Sequence, residues 1–352
     1  MRTLYLIRHA HPDYPLGAHM CLGRTDTPLG PLGRMQALLL GDELRAKADA
    51  VFCSPLTRCR ETAAPLGREP RIVAALAEQD MGPWDGLDFG TIKEKWPELY
   101  ARRGSEPLLV PSGAETLGEL RRRVLPALRD CVGSCGGDMA VVAHASVIQV
   151  ILAELLGVPL EESRPLRPPC GSYARIALDG KPTVAERAVL PRPELSPALA
   201  LRLLAAAAPG ERAEAHCRAV AAEALRIAAE LPAGLDLGLL ESAALLHDAA
   251  RGEADHARVG AAWLRELGFD DAAEAVARHH DLDSDVIDEA ALLYIADKCV
   301  MEDRRVTLRE RFAASEARCR GAEARAAHAS RREAAFRLRD EINRICGKTA
   351  VE

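Results

Sequence analysis

The feature that most restricts how this chain can fold is a change of periodicity part-way along it. Up to about residue 178, short β-rich runs at residues 3–7, 50–53, 71–76, 139–143 and 173–178 alternate with helical patterns at 32–44 and 115–129. Alternation of this kind belongs to helices layered on a sheet, an α/β architecture. Between Asp179 and Pro197 the texture turns polar, with Pro182, Pro191, Pro193 and Pro197 close together, and residues 181–197 are expected to form a linker. Beyond it, residues 198–346 read as alanine-rich amphipathic helices with no sheet pattern, ending in a charged stretch over 302–344. At 352 residues, two domains are expected: residues 1–180 and residues 198–346.

Charge and composition narrow the partners. The net charge of −6 and 4% aromatic content provide neither a basic footprint nor stacking platforms, so nucleic acid is not an expected partner. No apolar run reaches the ~20 residues of a membrane span, and strand-like sequence begins at Arg2 without space for a signal peptide. A cytoplasmic protein acting on a small molecule, with no membrane partner, is therefore expected. The ten cysteines are scattered from Cys21 to Cys346 without a CxxC pair, a pattern of isolated thiols.

In the first half the chemistry gathers at strand ends. The run 3–7 ends in Arg8-His9, the run 139–143 in His144, the run 50–53 leads to Arg58 at a helix start, and the run 71–76 leads to Glu78. Working groups collect outside the carboxyl ends of strands in open α/β sheets. Two His, two Arg and one Glu suffice for phosphate-ester hydrolysis: a neutral imidazole attacks phosphorus, guanidinium groups hold the oxygens, and a carboxylic acid protonates the departing alkoxide.

This half resembles the histidine phosphatases, the phosphoglycerate mutase-like superfamily. The resemblance rests on Arg8-His9-Ala10, with alanine at the usual glycine position, and on 23–29 with Gly33 and Gln36-Ala37. It continues through Ser54-Pro55-Leu56 with Arg58 and Glu61-Thr62, the segment 78–86, and 141–144. It implies a three-layer α/β domain with no metal. By resemblance, His9 is the phosphate-accepting nucleophile, Arg8, Arg58 and His144 form the phosphate pocket, Arg24 and Thr25 contact substrate, and Glu78 is the proton donor. Asp80 and Asp85 are competing carboxylates near Glu78. With no long insertion between Gly90 and Val110, a hydrolase is expected rather than a mutase, and Pro12, Tyr14 and residues 96–109 are expected to shape the leaving-group pocket.

In the second half five histidines and two aspartates recur on what read as apolar helix faces: His216, His247 with Asp248, His256, His279 with its neighbour His280, and Asp297. An unpaired buried polar group costs a few kcal/mol, so several together are resolved most simply by a shared cation. The order His216, His247-Asp248, Asp297 resembles the H…HD…D signature of HD-domain metal-dependent phosphohydrolases, an all-α helical bundle. That resemblance implies a divalent transition metal (Fe, Mn, Co, Ni or Zn). His256 with His279 and His280 resembles members holding two ions, and which of His279 and His280 ligates stays open. Lys298 and Arg251 are phosphate-contact candidates. The charged C-terminal stretch reads as a solvated helix docked through Val306, Phe312 and Phe336.

Together these features lead to the expectation of a bifunctional phosphohydrolase acting on small phosphorylated metabolites or nucleotides. The alternatives are a phosphatase, for example ribazole-phosphatase-like, whose HD half binds a ligand and regulates, or an HD half akin to molybdenum-cofactor-related proteins. Nothing in the sequence bears on oligomeric state.

Overall fold

The strand Met139–Ala143 is buried along its whole length, which requires cover on both of its faces. In the computed structural model, which describes residues 2–282, 286–317 and 319–352, it lies inside a six-stranded sheet. The order across the sheet is Arg71–Ile72, Ala50–Cys53, Met139–Ala143, Thr3–Arg8, Tyr173–Ala177, Thr183–Val189. The first four are parallel and the last two antiparallel. Alternation of side chains divides the core into two layers. Leu4, Leu6, Phe52 and Val141 face one side with Val124, Leu128, Ile148 and Ile151 from the helices Leu117–Gly133 and Ala145–Leu156. Tyr5, Ile7, Val51 and Val142 face the other with Leu40, Leu44 and Ala63 from Pro31–Leu44 and Thr57–Ala63. The four parallel strands therefore deliver Arg8-His9, Ser54, Val73 and His144 to one edge of the sheet.

Two expectations are corrected here. The run 71–76 is a strand only at Arg71–Ile72 and then becomes a single 3-10 turn, Ala74–Leu76, which carries the chain inward to Glu78. The expected linker begins too early, because Thr183–Val189 is an edge strand paired with Tyr173–Ala177. Its side chains are largely exposed; an edge strand is held by ladder hydrogen bonds on one side and needs no apolar face, so its sequence reads as polar loop.

The chain divides into two compact units, Met1–Arg192 and Pro193–Glu352. In the second, the helix Glu289–Lys298 is buried on all sides and is surrounded by Glu211–Ala228, Leu237–Leu246 and Asp270–Ala277. The unit also contains a small hairpin, Val300–Met301 with Arg304–Arg305, which the helical reading did not anticipate. The long helix Gly321–Cys346 is mostly exposed and docks through Ala335, Leu338 and Ile342, with the Phe336 ring 6.3 Å from that of Phe312. No helix among the described residues is long and apolar enough to cross a membrane.

Candidate active site and metal centre

At the sheet edge, His9 and His144 stand edge to face with ring centroids 5.2 Å apart. His9 Nδ1 donates to the Ala10 carbonyl at 2.8 Å, which leaves Nε2 as the nitrogen with a free lone pair. Burial, then the charges of Arg58 and Arg8, lower the His9 pKa well below its ordinary value, so the ring is neutral at physiological pH. His144 is likewise held neutral, by burial, His9 and Arg58, and its Nε2 is 2.7 Å from Ser54 Oγ.

Arg58 is fully buried. Its two terminal nitrogens donate to the carbonyls of Thr25 and Gly23 at 2.7 and 2.8 Å, and its Nε has no partner among the described residues. Arg8 is anchored to the Pro168 carbonyl at 2.7 Å. Thr62 Oγ1 ties this layer together, accepting from the Ala10 amide and donating to the Arg58 carbonyl. Glu78 is buried, with its oxygens accepting from the amides of Gln79 and Ser146 at 2.8 and 3.2 Å.

A pocket of ≈ 150 Å³ opens onto this edge, and Arg8, His9, Glu78 and Ser146 line it. Pro12 and Tyr14 line it too, as expected. Arg58 and His144, expected in the phosphate pocket, are fully buried and are not among its lining residues. Arg24 and Thr25, expected as substrate contacts, do not line it, and their side chains are exposed. The cause is Asp85, whose carboxylate accepts from the amides of Gly23, Arg24 and Thr25. That turn aims the carbonyls at Arg58 and the side chains outward. Asp85 is thereby a loop anchor, and Asp80 accepts from the Gly82 amide. Two glycines in this region are close-approach positions: a Cβ on Gly23 would meet the Gln79 carbonyl at 2.6 Å, and one on Gly33 the His11 carbonyl at 2.0 Å.

Sequence reasoning covered Arg103 only as part of the segment 96–109 and missed Arg167. Both line the pocket wall, and both continue into a neighbouring cleft of ≈ 500 Å³ with Tyr100, Gln149 and Arg164. They come from the helix Pro97–Ser105 and from the turn after Arg164–Leu166, segments that no strand end announces.

In the second unit the structure brings all seven predicted metal-site side chains together. Ligand-capable atoms lie within 4.8 Å of one another in three overlapping groups: His216, His247 and Asp297; His247, Asp248 and His279; His256, His279 and His280. The helix-face expectation needs correction. His216 sits within Glu211–Ala228 and Asp297 in the last turn of Glu289–Lys298, but His247 caps the end of Leu237–Leu246. His256 opens His256–Leu267, and His279 and His280 follow the end of Asp270–Ala277.

Helix ends suit the purpose because their last-turn carbonyls are available to imidazoles. His247 Nδ1 donates to the Ala244 carbonyl at 2.8 Å and His279 Nδ1 to that of Val276 at 2.6 Å, the same three-residue return. His216 Nδ1 donates to the Glu302 carbonyl at 2.7 Å. Glu302, in the hairpin turn, has a positive φ of 60°. Each interaction fixes a tautomer with Nε2 turned to the centre.

The donor set fits a divalent cation. Nε2 of His247 and of His279 is buried without a hydrogen-bond partner among the described residues, an arrangement that is costly unless a ligand completes it. Burial holds His279 neutral and pushes His280 down to about 4. Burial opposes ionisation of Asp297, but the Lys298 charge and the hydrogen bond with His216 hold its carboxyl well below the usual range. Neutral imidazoles and ionised carboxylates are the ligating forms. His216 Nε2 is 3.1 Å from Asp297 Oδ1, and His256 Nε2 is 3.1 Å from Asp248 Oδ1. Lys298, a phosphate-contact candidate, is turned inward: its Nζ donates to Asp297 Oδ2 at 2.7 Å and to the His279 carbonyl at 3.1 Å. Arg251 pairs with Asp248, its side chain half-exposed.

A pocket walled by a neutral imidazole, guanidinium groups and a carboxyl, at the carboxyl ends of parallel strands, is chemically equipped to act on phosphate esters. The profile of the histidine phosphatase superfamily (branch 1) matches residues 4–189, more than half of the chain, and the chain belongs to that family. The HD domain profile matches residues 214–302, the helices that carry the second cluster. Phosphoserine phosphatase 1 of Hydrogenobacter thermophilus is 32% identical over 174 residues, covering 46% of this chain and 80% of its own. Glucosyl-3-phosphoglycerate phosphatase of Mycolicibacterium vanbaalenii is 29% identical over 174 residues, covering 46% and 77%. Among solved structures, mycobacterial hydrolase 2 superposes with a TM-score of 0.51 at 25% identity, covering 59% of this chain and 97% of that one.

Proposed function

We propose that this one chain carries two phosphohydrolase activities, a metal-free phosphatase in the first unit and a metal-dependent activity in the second. The observation that carries the first is the pinning of His9 Nδ1 to Ala10, which leaves Nε2 free at the pocket wall beside Arg8. His9 Nε2 attacks phosphorus while the ester P–O bond breaks, its electron pair leaving on the alkoxide oxygen, to which Glu78 in its acid form delivers a proton. Water then attacks the phosphohistidine, the P–N bond breaks with its pair returning to His9, and the Glu78 carboxylate takes the proton of that water. Arg8 bears on the phosphoryl oxygens, while Arg58 and His144 support the site from behind, Arg58 with fixed charge and His144 through its contact with Ser54. The related phosphatases named above support a small phosphomonoester as substrate.

In the second unit, His216, His247, Asp248 and Asp297 are the residues that hold a first divalent ion, with His256, His279 and His280 available for a second. Fe, Mn, Co, Ni and Zn all suit this nitrogen and oxygen set. The ion supplies Lewis-acid polarisation of a phosphoryl oxygen. The chain's own residues fix the ligand tautomers through the carbonyls of Ala244, Val276 and Glu302, and Lys298 ties Asp297 to the His279 segment.

A phosphate-release screen over sugar phosphates, ribazole phosphate, nucleotides and dinucleoside polyphosphates, with and without chelator, separates the two sites. Chelator-resistant activity should vanish in His9→Ala and persist in Asp248→Ala. Chelator-sensitive activity should show the opposite pattern. Nucleotide binding without chelator-sensitive turnover would replace the second activity with a regulatory role.

A further inference from the structure

Beside the His9 pocket lies a cleft with a marked charge imbalance. His19, Arg103, Arg164 and Arg167 line it, and among the described residues no acidic side chain does. The cleft and the pocket share Phe89, Arg103 and Arg167 in their walls, so they are continuous. Arg164 and Arg167 are three residues apart across the 3-10 turn Arg164–Leu166, a spacing that puts both side chains on one side.

Arg167 is also held in place. Its Nε donates to Gln149 Oε1 at 2.6 Å and one terminal nitrogen to Ser146 Oγ at 3.1 Å. Both partners belong to the helix that follows His144. Arg167 is accessible to solvent through the cleft, yet burial together with the charges of Arg103, Arg8 and Arg164 lowers its pKa, with Glu78 the acid that opposes this. Arg103 is lowered as well, by burial and Arg164, and its guanidinium lies over the Trp84 ring at 5.4 Å. Crowded cations that outnumber the one nearby acid, Glu78, repel one another, and a bound anion relieves that repulsion.

We propose that the cleft formed by Arg103, Arg164 and Arg167 is a second anion subsite, which selects phosphomonoesters whose leaving group carries a carboxylate or a second phosphate. The inference rests on the phosphatase reading of His9. With its phosphoryl group against Arg8 and His9, such a substrate extends its other anion past Arg167 to Arg103 and Arg164. The guanidinium forks suit either anion through bidentate contacts.

Matched substrate pairs test this in the presence of chelator: 3-phosphoglycerate against glycerol 3-phosphate for the carboxylate, and 1,3-propanediol bisphosphate against its monophosphate for the second phosphate. The wild-type chain should prefer the more anionic member of at least one pair by about tenfold or more in kcat/KM, and the preferred pair identifies the anion. Arg164→Ala should cut that ratio about tenfold, mainly through KM, and Arg164→Lys should restore part of it. Because each ratio is taken within one preparation, loss of folded protein cancels. Ratios near one for both pairs, or a ratio unchanged in Arg164→Ala, overturn the subsite while His9-dependent hydrolysis of p-nitrophenyl phosphate leaves the phosphatase standing. Absence of His9-dependent hydrolysis of every substrate overturns the phosphatase reading itself.

Discussion

The rings of His9 and His144 meet edge to face 5.2 Å apart; His9 Nδ1 is engaged by the Ala10 carbonyl, and His144 by Ser54 and the Cys59 thiol. Two imidazoles this close, beside buried arginine, are tolerable only while neutral, and the free Nε2 of His9 is the group this arrangement exposes. His9→Ala should therefore reduce chelator-resistant phosphate release by roughly a thousandfold or more. Rapid alkaline quenching of the wild type with labelled substrate should trap an acid-labile, alkali-stable phosphoenzyme that the variant lacks. Label retained in His9→Ala would move the nucleophile elsewhere.

The same pair sets a pH dependence. Both histidines have folded-state pKa values below the ordinary 6.5. As pH falls through 6.5 the unfolded chain takes up protons that the folded chain refuses, so stability is lost toward acid, by about 1.4 kcal/mol per pH unit for each histidine within that window. Chemical denaturation at pH 7.5 and 5.5 should show a lower midpoint at 5.5, with a smaller difference in His9→Asn. The acid limb of kcat due to His9 should likewise fall below pH 6.5, and a midpoint above that value would contradict the burial of a neutral ring.

Glu78 touches the pocket through a carboxyl already held by the amides of Gln79 and Ser146. Glu78→Gln keeps the shape and removes the transferable proton. Its kcat/KM, which reports steps up to phosphoryl transfer, should drop about 10²–10⁴-fold on an alkyl phosphate, and much less on p-nitrophenyl phosphate, whose leaving group needs no proton. Equal losses on both substrates would assign Glu78 to positioning instead.

In the second unit, His247 and His279 each bury an unpartnered Nε2. Elemental analysis should find a divalent transition metal in the purified protein, and His247→Ala should lower its content. Removing metal with a chelator should lower the unfolding temperature of the wild type, and re-adding it at about 100 times its Kd should restore roughly 2.7 kcal/mol. A melting curve indifferent to chelator and metal would count against the site.

Gly33 lies against the backbone of His11, two residues from His9, with no space for a Cβ. Gly33→Ala should cost about 1–3 kcal/mol as an overpacked contact. It should also lower kcat toward p-nitrophenyl phosphate by displacing the loop after His9, which steady-state kinetics on the folded fraction will measure.

How much of the site was legible depended on how local its signal was. His9, Arg8, Arg58, His144 and Glu78 each follow a strand or turn whose period is visible in a few residues, so the strand ends pointed to them. Arg103 was covered only by the broad expectation for residues 96–109 and Arg167 by none: one lies on a short helix and the other beyond a 3-10 turn, and they meet only when the segments around residues 100 and 165 fold over the sheet edge. The exposure of Arg24 and Thr25 has a different origin. Their motif was legible, but Asp85, 60 residues away from Thr25, holds their backbone amides, and both residues are exposed.

By itself the sequence determined the two architectures and pointed to the candidate metal donors, because strand and helix periods and His/Asp chemistry are local properties. Tertiary structure decided which atom of each donor faces the centre. The tautomer of His216 is set by the Glu302 carbonyl, 86 residues away, and those of His247 and His279 by carbonyls that point the right way only where their helices end. It also decided that the polar stretch Thr183–Val189 completes the sheet. Backbone hydrogen bonds hold an edge strand, and they leave no hydrophobic pattern in the residues that make them.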